Sequence, residues 1–322
     1  MKAIQFSRTG GPEVLELVDL PTSQPGPGQV RVRHEASGVN FIDTYHRSGL
    51  YPVKLPSGLG QEAAGVVDAL GEGVDQFKLG DRVAYTGVMG GYAEFNLVPA
   101  ARLIHLPDGV PTEIAAASLL KGMTAEFLLR RCYPLKAGEA VLIHAAAGGV
   151  GSILVQWAKA IGAIVIGAVG TPDKAEIAKH LGCDHVILYR DEDVAARVKD
   201  VTGGAGVSVV YDGVGAATQE ASLSSLQRRG LLAVFGNASG PAPAVEPARL
   251  QRGGSLFLTR PTLFDYIATP SELADSAAAL FHVIENGSVK VSVGRRFALA
   301  DARAAHEALE GRETTGSTVL VP

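Results

Sequence analysis

The residues whose types and spacing most clearly suggest chemistry are Ala145-Ala146-Ala147-Gly148-Gly149-Val150-Gly151. They read A-x-G-x-x-G, with Ala146 in the first glycine place of the dinucleotide fingerprint. An apolar run of strand length, residues 141–144, precedes them, and the helical stretch 152–161 follows. In that context each glycine has a physical task. Gly148 lets the backbone approach a pyrophosphate, and Gly151 lets helix and strand pack closely. The N–H groups of the helix start, with their partial positive charge, favour phosphate oxygens. Ala147, Gly148, Gly149 and Val150 are therefore candidate cofactor-binding residues. A merely structural turn is the competing reading.

The end of the next strand selects the nucleotide. A site for the free ribose 2′-hydroxyl carries Asp or Glu about 20 residues on. Here Ala168, Val169 and Gly170 stand there, with no carboxylate. Thr171, Pro172, Asp173 and Lys174 come next, and Tyr189 and Arg190 follow the strand after. A 2′-phosphate calls for a cation and hydroxyl donors, so Gly170, Thr171, Lys174 and Tyr189 point to NADPH rather than NADH. Asp173 falls in the first turn of a helix with Thr171 as N-cap and Pro172 at N1, where it serves the helix dipole.

Alternating strands and helices must position this loop. Apolar strand-like runs at 141–144, 164–169, 186–188, 207–211, 231–235 and 255–258 alternate with helical stretches at 152–161, 172–181, 191–201 and 219–227. Such βα units predict a doubly wound parallel sheet in an α/β fold. The first third reads instead as all-β with irregular loops, from the short strands 29–36, 64–71 and 81–85. The tail carries a helix at 300–309 and a strand at 317–321.

The chain has 322 residues, about two typical domains of roughly 150. Hydrophobic residues are 47% and charged residues 19%, a globular balance. Lys and Arg number 29 against 33 Asp and Glu, a net charge of −4 that argues against nucleic acid as a partner. Two cysteines, Cys132 and Cys183, exclude a disulfide framework and a four-cysteine zinc site, and fit a reducing, cytoplasmic setting. The start lacks the apolar core of a signal peptide. The most apolar stretch, 140–170, is broken by His144, Gln156, Lys159 and glycines, so no membrane span is expected.

The first domain carries Asn40-Phe41-Ile42-Asp43-Thr44-Tyr45, then Arg47, Gly49 and Tyr51, then Gly60-Gln61-Glu62-Ala63-Ala64-Gly65-Val66. These resemble zinc-free quinone oxidoreductases of the medium-chain dehydrogenase/reductase superfamily. Gly138-Glu139, Leu142, the glycine loop, Gln156 and Lys159 are similar to the quinone oxidoreductase and zeta-crystallin signature, and the resemblance extends to Gln227-Arg228-Arg229-Gly230 and Phe235-Gly236-Asn237. It runs over the whole chain and looks closest to bacterial NADPH:quinone reductases. The resemblance implies a GroES-like β-rich catalytic domain over 1–122 and 266–322, and a Rossmann NADPH-binding domain over 123–265.

Zinc dehydrogenases of that superfamily place a ligand Cys where this chain has Asn40 and a ligand His where it has Gln61. Neither amide is a good zinc ligand, so no metal is expected. Without a Lewis acid, the chemistry expected is reduction of an electron-poor acceptor, a small-molecule quinone or a conjugated enone. By resemblance Asn40, Asp43 and Tyr45 border the nicotinamide end of the cleft, with Phe41 and Tyr51 nearby. Asn40, Tyr45 and Tyr51 are the catalytic candidates, Tyr51 as an acid or a stacking wall. Asp43 reads rather as a loop organiser, and Glu62 as a structural hydrogen-bonding group. Thr124, Phe235, Gly236 and Arg312 are the remaining cofactor candidates. No histidine is assigned to catalysis, and His144 is expected to pack. Two alternatives accompany quinone reduction: reduction of α,β-unsaturated carbonyls, and a non-catalytic nucleotide- or RNA-binding role of the crystallin kind. A homodimer is expected from the family and from the apolar edge strand near 253–259.

Overall fold

The computed structural model describes all 322 residues, which divide into two compact units. The first comprises Met1–Met123, Ile267–Glu285 and Val291–Pro322; the second comprises Thr124–Tyr266 and Asn286–Lys290. Asn286–Lys290 groups with the second unit because Gln156 grips Lys290 twice. Its Nε2 donates to the Lys290 carbonyl at 3.2 Å, and its Oε1 accepts from the Lys290 N–H at 2.9 Å. No helix is long and apolar enough to cross a membrane.

The second unit holds a six-stranded parallel sheet. Its order is His185–Leu188, Ile164–Val169, Ala140–His144, Val207–Asp212, Leu226–Val234, Phe257–Thr259. Counted along the chain this is 3-2-1-4-5-6, the doubly wound order, with the reversal between Ala140–His144 and Val207–Asp212. Leu142, Ile166, Val210 and Leu232 lie at or near zero exposure, as strands covered on both faces require.

The first unit is built on a mostly antiparallel sheet. Its order is Val293–Ala298, Ser317–Val321, Gln29–Val39, Glu62–Leu70, Arg82–Thr86, Leu103–His105, with Phe95–Pro99 also paired to Gln29–Val39. Val30, Val32, Val67, Val83, Tyr85 and Val98 close the core beneath it. The first third is not all-β as expected. Helix Phe41–Ser48 stands in it, between Asn40 as N-cap and Gly49, whose φ of 86° ends the helix in the left-handed region.

Candidate active site

In the second unit the glycine loop turns out of strand Ala140–His144 at Ala145, whose φ is 52°. Gly148 then caps helix Gly149–Ile161 in an extended conformation. A Cβ on Gly151 would lie 2.2 Å from the Ala145 carbonyl oxygen, so only glycine permits this approach of helix to strand. A Cβ on Gly148 would also be tight, 3.1 Å from the Ala145 carbonyl oxygen, and its absence leaves bare backbone at the helix N-terminus beside Ala147, Gly149 and Val150.

One strand along, Thr171 caps helix Pro172–His180, its Oγ1 accepting from the Lys174 N–H at 3.4 Å, with Asp173 in the first turn. A Cβ on Gly170 would come within 2.5 Å of the Tyr189 hydroxyl, so that phenol lies over the end of strand Ile164–Val169. Gly170, Thr171, Lys174 and Tyr189 thus gather at the carboxyl ends of two neighbouring strands. Phe235 and Gly236 follow strand Leu226–Val234. The Phe235 N–H donates to the Asp212 carbonyl at 2.8 Å, and Gly213 lies directly beneath its ring. Thr124 stands near the end of helix Thr112–Phe127. A helix N-terminus with bare glycine backbone, and Lys174 in the first turn of the next helix, fit a 2′-phosphorylated dinucleotide.

A buried Ser–His–Asp trio also sits in this unit, and its hydrogen bonds run the wrong way for nucleophilic catalysis. Ser222 Oγ donates to Asp212 Oδ2 at 2.7 Å and lies 3.0 Å from His144 Nε2. The serine proton is engaged by the carboxylate rather than by the imidazole. Asp212 also takes the Val214 and Gly215 N–H groups and the Thr218 hydroxyl, so the trio fastens the loop after strand Val207–Asp212.

In the first unit the candidates cluster on and around helix Phe41–Ser48. Asp43 Oδ2 accepts from the Asn40 N–H at 2.8 Å, which fixes the helix entry. Tyr45 stands edge-on to Tyr51 at 5.3 Å and beside Phe41 at 6.5 Å, and the Tyr51 N–H donates to the Tyr45 carbonyl at 3.0 Å. The Asn40 amide donates to Glu62 Oε2 at 2.8 Å. Glu62, fully buried, also accepts from Lys121 Nζ at 3.1 Å and from the Leu120 N–H at 2.6 Å. Gly38 makes room for it, since a Cβ there would fall 2.2 Å from Glu62 Oε2. Gln61, the neighbouring residue, contacts His46, with Nε2 to Nε2 at 2.5 Å. Arg312 takes a left-handed φ of 59° just past helix Ala302–Glu310.

A second network, invisible in the sequence, anchors the helix from behind. Arg47 can only donate, so His306 Nδ1 accepts from it at 2.9 Å, and the imidazole proton must sit on Nε2. That proton faces the Tyr92 oxygen at 3.2 Å, and Tyr92 donates to Asp43 Oδ2 at 2.8 Å. Arg47 is tied further to the Gly10 carbonyl and to Glu310. Burial and the adjacent guanidinium push His306 down to about 3, so it stays neutral.

Burial pushes the Asp43 carboxyl up to about 7, from an ordinary value near 3.8. The folded chain therefore keeps a proton that the unfolded chain releases between about pH 4 and pH 7. Stability falls as pH rises through that window and levels above it. Denaturant titrations at pH 5 and pH 8 should show wild type losing a few kcal/mol more than Asp43→Asn across the interval. Equal losses would contradict the assignment.

The comparisons with known proteins fit this geometry. Residues 26–108 match the family described as alcohol dehydrogenase GroES-like domain, and residues 149–280 match the family described as zinc-binding dehydrogenase. A quinone oxidoreductase of Pseudomonas aeruginosa is 53% identical over 100% of this chain and 99% of its own. The chain belongs to the quinone oxidoreductase family of medium-chain dehydrogenases/reductases. Within that family, the structure of Escherichia coli quinone oxidoreductase complexed with NADPH superposes with a TM-score of 0.98, at 49% identity and full coverage of both chains. A 2-haloacrylate reductase from a Burkholderia species is 44% identical over 99% of this chain and 98% of its own.

Proposed function

We infer that this protein reduces quinones with NADPH and needs no metal to do so. The observation that carries the reading is the state of Asn40 and Gln61. These amides occupy the places where zinc dehydrogenases of the superfamily hold Cys and His. Each is engaged by a side chain of the fold, Asn40 by Glu62 and Gln61 by His46. An acceptor handled without a Lewis acid must already be electron-poor, as quinones are. Bound NADPH supplies the hydride. Gly148 and the helix N-terminus hold its pyrophosphate, while Thr171, Lys174 and Tyr189 hold its 2′-phosphate. Thr124, Phe235, Gly236 and Arg312 complete the cofactor contacts. Asn40 and Tyr45 present polar groups to the ligand oxygen, and Tyr51 walls the acceptor beside Tyr45.

The test is NADPH oxidation with a small benzoquinone beside a simple enone. Quinone turnover at least tenfold above enone turnover supports the reading. Enone preference would favour reduction of a carbon–carbon double bond, the reading to which the 2-haloacrylate reductase relationship lends weight. The two free cysteines, Cys132 and Cys183, agree with a reducing, cytoplasmic compartment.

The protein is further proposed to act as a homodimer through the edge strand Phe257–Thr259. Successive strand residues point to opposite faces, yet Phe257 and Leu258 are 60% and 37% exposed, so both faces of this edge are uncovered. A second copy paired there would continue the sheet and cover both. Phe257→Asp should convert a dimer to a monomer in sedimentation velocity. A wild type that stays monomeric at micromolar concentration would contradict the proposal.

A further inference from the structure

We propose that His46 is the proton source that completes quinone reduction. This inference rests on the quinone-reductase reading above and names the one group that reading leaves unassigned. Hydride arrival gives the acceptor two electrons and one hydrogen, and leaves one oxygen as an anion that needs a proton. In the proposed step one N–H bond of the His46 imidazolium breaks and one O–H bond forms on that oxygen. No electrons change hands, and the neutral ring takes a proton back from water.

Asn40, Glu62 and Asp43 are poorly suited to the task. The Asn40 amide has no ionisable proton and is bonded to Glu62. Glu62 is sealed from solvent and saturated by three donors. Asp43 is equally sealed behind the Asn40 N–H and Tyr92. His46 touches the cluster and, unlike these two carboxylates, is only half-buried. Its ring stands edge-on to Tyr51 at 5.8 Å, and its Nε2 meets Gln61. Imidazole is also the side chain whose ordinary range spans neutrality.

The pairing with Gln61 suits a ring that changes charge. The amide can present its oxygen to Nε2–H or its NH2 to a bare Nε2, so one partner serves both protonation states. His46 Nδ1 is buried beside the Tyr51 backbone. Burial lowers the pKa of the ring, while the Tyr51 backbone favours the charged form. The result is a stronger acid than free histidine. An oxyanion appearing nearby would favour protonation of the ring before transfer.

The experiment is the pH dependence of kcat for NADPH oxidation with saturating benzoquinone, from pH 5 to pH 8, in wild type and His46→Gln. Wild type should show kcat falling as pH rises through the His46 titration. His46→Gln should lose about tenfold or more at pH 5.5, stay within about twofold at pH 8, and keep its KM for NADPH. An unchanged profile, or the same loss at every pH, overturns the inference and leaves quinone reduction standing. A wild type without quinone turnover overturns the functional reading itself. Should His46→Gln fail to fold, Gln61→Met keeps the imidazole and removes its partner. The limb should then move along the pH axis, and an unmoved limb overturns the inference.

Discussion

Lys174→Ala should raise the KM for NADPH by about 10- to 100-fold, the weight of one or two charge-assisted hydrogen bonds to a phosphate, and leave NADH within about twofold. The reasoning is electrostatic and local. Strand Ile164–Val169 ends at Gly170 without a carboxylate at the place that would bind a free 2′-hydroxyl. Lys174 lies in the first turn of a helix whose N-terminus Thr171 already caps, and the Tyr189 hydroxyl overhangs Gly170. Removing the cation takes away the charge partner, while the hydroxyls remain. Tyr189→Phe should therefore cost less than Lys174→Ala. Parallel loss with both nucleotides would mean that Lys174 supports the helix rather than the phosphate.

Lys121→Met should destabilise the first unit by about 3–5 kcal/mol, the usual cost of stripping one partner from a buried ion pair. Glu62 is fully buried and Lys121 is 6% exposed, so water cannot replace the lost ammonium. Two donors would remain on the Glu62 carboxylate, Asn40 and the Leu120 N–H, and neither carries charge. The double change Lys121→Met with Glu62→Leu should recover much of the loss, because it removes the stranded charge as well. Its activity should stay low, since the Asn40 amide would have lost its anchor. Calorimetry of the four proteins of this cycle reads the stability, and NADPH oxidation reads the activity. A Lys121→Met protein as stable as wild type would contradict this account of the pair.

The contrast between these sites shows what the sequence made legible. The glycine loop was readable because its chemistry is contiguous: strand, turn and helix start fall within a dozen residues. The capping of helix Pro172–His180 by Thr171 and Pro172 was readable for the same reason. Helix Phe41–Ser48 is hard to read from sequence because it is short and half-polar, although Asn40, Asp43 three residues on and Gly49 mark its two ends. Helix Thr112–Phe127 is equally hard to read because Ala115, Ala116, Ala117, Ser118 and Leu119 are all buried, which leaves no amphipathic period. The Arg47–His306–Tyr92–Asp43 chain joins residues up to 259 apart, and no local pattern announces it. The His46–Gln61 contact spans 15 residues with no ligand spacing, so no local pattern pairs them.

The most direct measurement is the rate of NADPH oxidation by benzoquinone in protein dialysed against a strong chelator, with bound metal counted by mass spectrometry. Full turnover at less than about one metal per hundred chains is the predicted result, since Asn40 and Gln61 supply no zinc site. Activity that vanishes with the metal and returns on adding zinc would contradict the account at its centre.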